Sequence, residues 1–178
     1  MAAEKCVYWG MVKHEDWLSY MVATDLGLGL LTWPNDSFEM VLAWAKRYVP
    51  GTLLVHDPHR LESYQNALWP CLNGQSTDLD SMKFDLHGTD FQIKIWHALR
   101  SIPLGQTKTY GEVANMIGRP NAVRAAAHAI GANPIAFLVP CHRVIGKDGS
   151  LSGYRGGIPL KQRLLELEGA WPTSGCAL

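Results

Sequence analysis

A thiol whose next neighbour is an imidazole is the pair in this chain best suited to nucleophilic chemistry: Cys141 and His142, within Pro140-Cys141-His142-Arg143-Val144. A free cysteine near neutral pH is only a few per cent thiolate, and a nearby histidine or helix N-terminus is the usual means of raising that fraction. Adjacency in sequence is not contact, because successive side chains of an extended chain point to opposite sides; His142 then acts through a bridging water or after a turn. A base also needs an orienting partner. Glu168 stands at the end of a helix expected over residues 160–167, which begins after Pro159 and stops at Gly169. On spelling alone Glu168 suits a solvated helix end equally well, and Cys141 an inert buried thiol.

The remaining cysteines, Cys6, Cys71 and Cys176, form no CxxC pair with one another or with Cys141, so neither a disulfide framework nor a zinc ribbon is implied. No pair among the seven histidines and four cysteines sits at ligand spacing, so no metal is expected. No apolar run approaches the roughly 18 residues of a membrane span, and the first residues lack the basic-then-apolar order of a signal peptide. The chain is therefore expected in the cytoplasm, away from membranes. With 178 residues, 47% of them hydrophobic and 18% charged, it can build one good core or two small domains.

The formal net charge of zero hides a division near Gly88. Residues 88–178 hold ten Lys and Arg against five acids, a net of +5, which leaves six basic against eleven acidic residues, or −5, in the rest. A basic half facing phosphates would produce this asymmetry, and so would chance variation of the surface.

The elements that must position the thiol follow from local signals. Residues 6–11, 18–24 and 27–33 read as strands, the last two joined by the turn Asp25-Leu26-Gly27. Residues 37–47 and 58–72 read as helices, the second broken late by Pro70, and residues 76–81 form a polar connector. Thr89 with Gln92 makes a capping box before a helix that stops ahead of Pro103, and Thr109 with Glu112 makes another before a helix through Ile117, ended by Gly118. Asn121 is expected to cap a further helix over residues 122–130, ended by Gly131. These last two helices are a helix-turn-helix candidate, or equally an ordinary helical hairpin. The second carries Ala125, Ala126, Ala127 and Ala129, with Arg124 projecting beyond that smooth surface. Such a helix suits a narrow groove of DNA, and suits close packing on its own fold no less. Residues 135–139 read as a short buried strand leading into Cys141.

Taken in order, Gly105…Tyr110, Arg124, Asn133-Pro134, Pro140-Cys141-His142-Arg143-Val144, Gly153-Tyr154-Arg155-Gly156-Gly157 and Lys161 to Gly169 resemble the O6-alkylguanine-DNA alkyltransferases, over residues 91–169. The resemblance implies an α+β chain: a small ribonuclease H-like sheet-plus-helix domain over residues 1–85, then a mostly helical, winged helix-turn-helix-like domain over residues 86–178. It implies repair of O6-methylguanine, and of O4-methylthymine, in flipped-out nucleotides, by one irreversible alkyl transfer to Cys141. His142 takes the thiol proton through water and Glu168 orients the imidazole. Tyr110 donates toward guanine N3, and Asn133 ties the recognition helix to the Cys141 segment. Arg124 fills the vacated base position while Ala125, Ala127 and His128 face the minor groove, and Val144, Leu151, Tyr154 and Arg155 line the guanine pocket. The partner is double-stranded DNA, the protein acts as a monomer, and no cofactor is needed because the damaged base carries the activated carbon.

The Ala127-His128 pair departs from the small residue and variable residue of many relatives, which bears on the placement of the helix and leaves the chemistry alone. Two rival readings stand beside this one. A non-enzymatic relative that only binds damaged bases would lack Cys141. A Cys-His hydrolase could use Cys141, His142 and Glu168, but gives no reason for Arg124 on an alanine-rich helix.

Overall fold

Alternating apolar residues and two tight reversals build the first part of the chain into a sheet. The computed structural model describes residues 5–14, 17–79 and 81–171; Cys176 lies outside them. Strands β1 (Cys6–His14), β2 (Trp17–Thr24), β3 (Gly27–Leu31) and β4 (Leu53–His56) lie in the order β3-β2-β1-β4. Neighbours are antiparallel except the β1–β4 pair, which is parallel. Strand β4, absent from the sequence reading, is only four residues long and mostly exposed, so it has little periodicity to read.

Helix α1 (Glu39–Tyr48) buries Val41, Trp44 and Ala45 against Val7, Val22 and Leu30 of the sheet. A fully buried side chain of Val41's kind contributes about 1.5–3 kcal/mol. Asp57 caps a 3₁₀ turn, Pro58–Leu61, which lies against β1 and β2 and leads into α2 (Glu62–Leu72). Pro70 does not break α2 as expected; it sits in the last turn, where the chain is already leaving the helix, and Asn73 bonds back to the Trp69 carbonyl through its side chain. The outer edge of β3 is taken by short segments from elsewhere in the chain. Leu28 exchanges backbone bonds with Lys83 and Asp85, and Leu31 does so with Pro134 and Ala136.

The chain divides into two compact units, Met1–Ala67 with Asp78–Gly88 and Pro134–Ala136, and Leu68–Thr77 with Thr89–Asn133 and Phe137–Leu178. The second unit is helical. Both capping boxes close as their spelling predicts, Thr89 with Gln92 at the start of α3 (Asp90–Arg100) and Thr109 with Glu112 at the start of α4 (Tyr110–Met116). Gly118, at φ +69°, then turns the chain toward α5 (Val123–Gly131). Asn121 does not cap α5. The N-cap is Ala122, with no side-chain bond, because Asn121 falls one residue too early for its oxygen to meet the free amides of the first turn. The three helices pack on one another through Ile95, Trp96, Leu99, Val113, Ala114, Ala126, Ala129 and Ile130. Helix α6 (Ile158–Leu167) completes the six helices of the described residues.

A Cβ added at Gly29 would lie 2.3 Å from Trp44 Cζ2, inside contact distance of a packed ring. Gly29→Ala is therefore expected to lower stability by about 1–3 kcal/mol through overpacking. Urea unfolding measures this, and an unchanged midpoint would contradict the packing described.

Candidate active site

Residues 135–139 do not form the expected strand. Phe137 takes φ +64°, and the Asn133 side chain donates to the Val139 carbonyl at 2.8 Å across a separation of six residues. An extended run of that length would span roughly 20 Å, so the tertiary bond folds the segment into a buried loop. Beyond it Cys141–Arg143 makes a 3₁₀ turn, held by Cys141 N–H to Val139 and Arg143 N–H to Pro140. Successive side chains of such a turn fan out about 120° apart, so Cys141, His142 and Arg143 reach different neighbours within one buried site.

Two short strands missed in the sequence, β5 (Lys108–Thr109) and β6 (Val144–Ile145), pair in parallel and tie the backbone after the thiol to the start of α4. Tyr110, the first residue of α4, donates its hydroxyl to the Ser152 carbonyl at 3.2 Å. Tyr154 sets its ring edge-on to His142 with centroids 6.5 Å apart. Val144 is buried, Leu151 half-buried and Arg155 exposed.

The centre of the site is Glu168, whose side chain is 2% exposed. Its Oε1 meets His142 Nε2 at 2.9 Å and Arg143 Nη2 at 3.0 Å, while Oε2 accepts from Arg143 Nε at 2.9 Å. Arg143 also donates to the carbonyl of Ile102, just past α3. Burial alone would raise the Glu168 carboxyl, but the hydrogen bonds of His142 and Arg143 and the Arg143 charge overcome it and hold the group down to about 2. Glu168 is thus an acceptor only at neutral pH. Its partner atom Nε2 must then carry the ring proton, since burial lowers His142 and keeps the imidazole neutral despite the carboxylate beside it. The lone pair falls on Nδ1, which is buried and has no hydrogen-bond partner among the described residues.

Cys141 is 5% exposed, and burial pushes its thiol up to about 11, against the pull of an Asn133 Nδ2 bond to Sγ at 3.3 Å and of the Lys161 charge. The expectation that the neighbouring histidine raises the resting thiolate fraction fails here. A neutral, buried imidazole brings no positive charge to the sulfur.

Helix α5 resolves the ambiguity of its alanines. Ala126 and Ala129 are buried, whereas Arg124, Ala125 and His128 are exposed and Ala127 is half-buried on the other side. The Trp96 indole anchors the buried side by donating to the Ala129 carbonyl at 2.9 Å. Two buried charges went unrecognised in the sequence, Arg143 and Lys161. Lys161, Leu164, Leu165 and Glu168 are all buried at i, i+3, i+4 and i+7, and that spacing was the available signal for an inward-facing lysine and glutamate.

Residues 90–170 match the family model described as "6-O-methylguanine DNA methyltransferase, DNA binding domain". The inducible methylated-DNA–protein-cysteine methyltransferase of Bacillus subtilis is 45% identical over 162 residues, covering 91% of this chain and 90% of that protein. The methylated-DNA–protein-cysteine methyltransferase of Mycobacterium tuberculosis is 51% identical over 112 residues, 63% of this chain and 67% of that one. The crystal structure of M. tuberculosis OGT in complex with DNA superposes with a TM-score of 0.76 at 35% identity, covering 93% of this chain and 96% of that one.

A carboxyl held near 2 against an ordinary 4.5 stabilises the fold above pH 4.5, and that contribution drains away as the pH falls to about 2. It amounts to about 3 kcal/mol. The stability gap between wild type and Glu168→Gln, measured by urea unfolding, should therefore narrow across this window. A gap independent of pH would show that Glu168 is not held as an anion.

Proposed function

The chain belongs to the methylated-DNA–protein-cysteine methyltransferase family, and from that membership we propose how its own residues carry the reaction. The protein repairs DNA by direct reversal, moving the alkyl group of O6-methylguanine onto its own cysteine. Cys141 is the acceptor. The observation that carries this assignment is the buried series Glu168 Oε1 to His142 Nε2 at 2.9 Å, on the turn that also presents Cys141. As sulfur attacks the alkyl carbon, the S–C bond forms and the C–O6 bond breaks. The thiol proton passes through a water to His142 Nδ1, and the Glu168 carboxylate stabilises the imidazolium. Guanine leaves with the bonding electrons and takes a proton at N3 from Tyr110, whose hydroxyl turns from the Ser152 carbonyl that it bonds in the free protein. The product is a thioether, a poor leaving group that no water can displace as it displaces an acyl group. Each molecule therefore acts once.

The alkyl carbon of a paired base lies within the duplex, so the nucleotide must leave the stack, at a cost of a few kcal/mol. We assign the support of that state to α5. Its exposed side, Arg124, Ala125, Ala127 and His128, is smooth enough to approach the backbone in the minor groove, and Arg124 fills the vacated position. Val144, Leu151, Tyr154 and Arg155 form the guanine pocket, with Asn133 coupling α5 to Cys141 through its bonds to Val139 and Sγ. The three packed helices α3, α4 and α5, with the short two-stranded sheet of β5 and β6, support a winged helix-turn-helix reading of residues 86–178, and the mixed sheet with α1 packed on it a ribonuclease H-like reading of residues 1–85. The first domain supports and the second binds DNA and accepts the alkyl group. The protein works as a monomer without a cofactor, since one chain supplies every group in the reaction.

Arg124→Ala is expected to slow repair of O6-methylguanine in duplex DNA by about 10–100-fold, the worth of roughly 1.5–3 kcal/mol of lost support. Reaction with free O6-benzylguanine should change less than about threefold, because that base needs no extrusion. Equal losses on both substrates would remove Arg124 from base extrusion. In the same assays mass spectrometry should find one methyl on the Cys141 peptide, and methyl on Cys71 would refute the assignment.

A further inference from the structure

Glu168 keeps its bonds to His142 and Arg143 at 2.9–3.0 Å from a place where helices ordinarily fray, the C-cap of α6. The helix closes there through its own backbone, Gly169 N–H to the Glu166 carbonyl and Ala170 N–H to that of Leu165, with Gly169 at φ +69°. That turn ends α6 without fixing where its end sits in the fold. Two other glycines, distant in sequence, bring backbone against that end.

A Cβ added at Gly74 would overlap the Leu167 carbonyl and stand 2.9 Å from the Leu167 Cβ, and a helical carbonyl cannot swing aside as the tip of a long side chain can. A Cβ at Gly105 would lie 3.2 Å from the carbonyl oxygen of Glu168 itself. The last two carbonyls of α6 are thus covered by two segments that the lack of a side chain brings this near.

Gly74 is itself held. It closes α2 by the same kind of turn, at φ +66°, its N–H bonding to the Cys71 carbonyl and that of Gln75 to Pro70. Leu68–Thr77 and α6 belong to the same compact unit. The last turn of α2 also feels the site: burial pushes the Cys71 thiol up, a bond to the Thr77 hydroxyl and the Arg143 charge draw it down, and the Glu168 charge adds to the rise. Two helix ends therefore meet, one placing the other. Gly74 stands outside residues 90–170, which match the family model.

We propose that Gly74 is a positioning residue for the alkyl transfer: packed bare on the Leu167 carbonyl, with Gly105 on the Glu168 carbonyl, it fixes the end of α6 so that the Glu168 carboxylate stays on His142. Gly74 acts through Glu168 and touches neither thiol nor base. This inference rests on the reading that the Glu168–His142 pair serves transfer to Cys141.

Gly74→Asn tests it, because asparagine accepts a left-handed backbone and adds chiefly the crowding Cβ. Gly51→Asn is the control, since Gly51 is also left-handed, at φ +77°, yet among the described residues nothing lies within 4 Å of its Cβ position. In full-length protein labelled with nitrogen-15 at histidine, Gly74→Asn should shift or lose the His142 Nε2 proton signal. Alkyl transfer at saturating O6-methylguanine DNA should slow by about 10–100-fold, with DNA affinity unchanged. Gly51→Asn should keep the wild-type signal and rate. A folded Gly74→Asn protein with the wild-type signal or rate, or an equal loss in Gly51→Asn, would overturn the proposal. Where Gly74→Asn fails to fold, Gly105→Asn, which crowds its neighbour less, is read by the same signal with the same two outcomes. The spectra need no substrate, so a wild-type protein that took no methyl would refute the reading of function and leave them to judge Gly74.

Discussion

A carboxylate buried to 2% exposure is tolerable only when its oxygens are satisfied, and at Glu168 that requirement organises everything around it. Arg143 supplies a two-pronged ion pair and His142 a ring N–H, so three side chains lock one another's orientations. Arg143 spends its charge holding the carboxylate. Burial keeps His142 neutral, with its lone pair on the atom that Glu168 does not touch. Removing any one of the three strands a charge or a donor in the interior, which costs about 3–5 kcal/mol where a buried pair is broken.

The fold brings these groups together from distant parts of the chain by backbone anchors. The Ile102 carbonyl past α3 receives Arg143, β5 receives the strand that follows the thiol, and Asn133 bridges the end of α5 to Val139 and to the sulfur. Burial holds the resting thiol in its protonated form. On the proposed mechanism, the nucleophile then forms only as the proton passes to His142, which suits a protein that reacts once.

Much of this was legible in the residues and some was not, for reasons that differ by element. The capping boxes at Thr89 and Thr109 depend on bonds between residues three apart, and local spelling determines them. Asn121 misled because a cap depends on which residue starts the helix, and that boundary is uncertain by a residue or two in any sequence reading. Residues 135–139 looked like a strand because burial and apolar composition do not distinguish a strand from a buried loop; a side-chain bond from Asn133 decided it. The inward positions of Lys161 and Glu168 follow the i, i+3, i+4, i+7 spacing of α6, whereas nothing local to Arg143 marks it as buried. The family motif marked Cys141, His142 and Glu168, but which ring nitrogen of His142 faces Glu168 came from the contacts.

The central claim is the state of His142: neutral, protonated at Nε2 by its bond to Glu168, and free at Nδ1. Nitrogen-15 NMR of the histidine-labelled protein near neutral pH reads both ring nitrogens directly. One protonated nitrogen, coupled to the signal lost in Glu168→Gln, and one bare nitrogen is the expected spectrum. A doubly protonated ring, or a proton on Nδ1, would mean that His142 cannot receive the thiol proton as described.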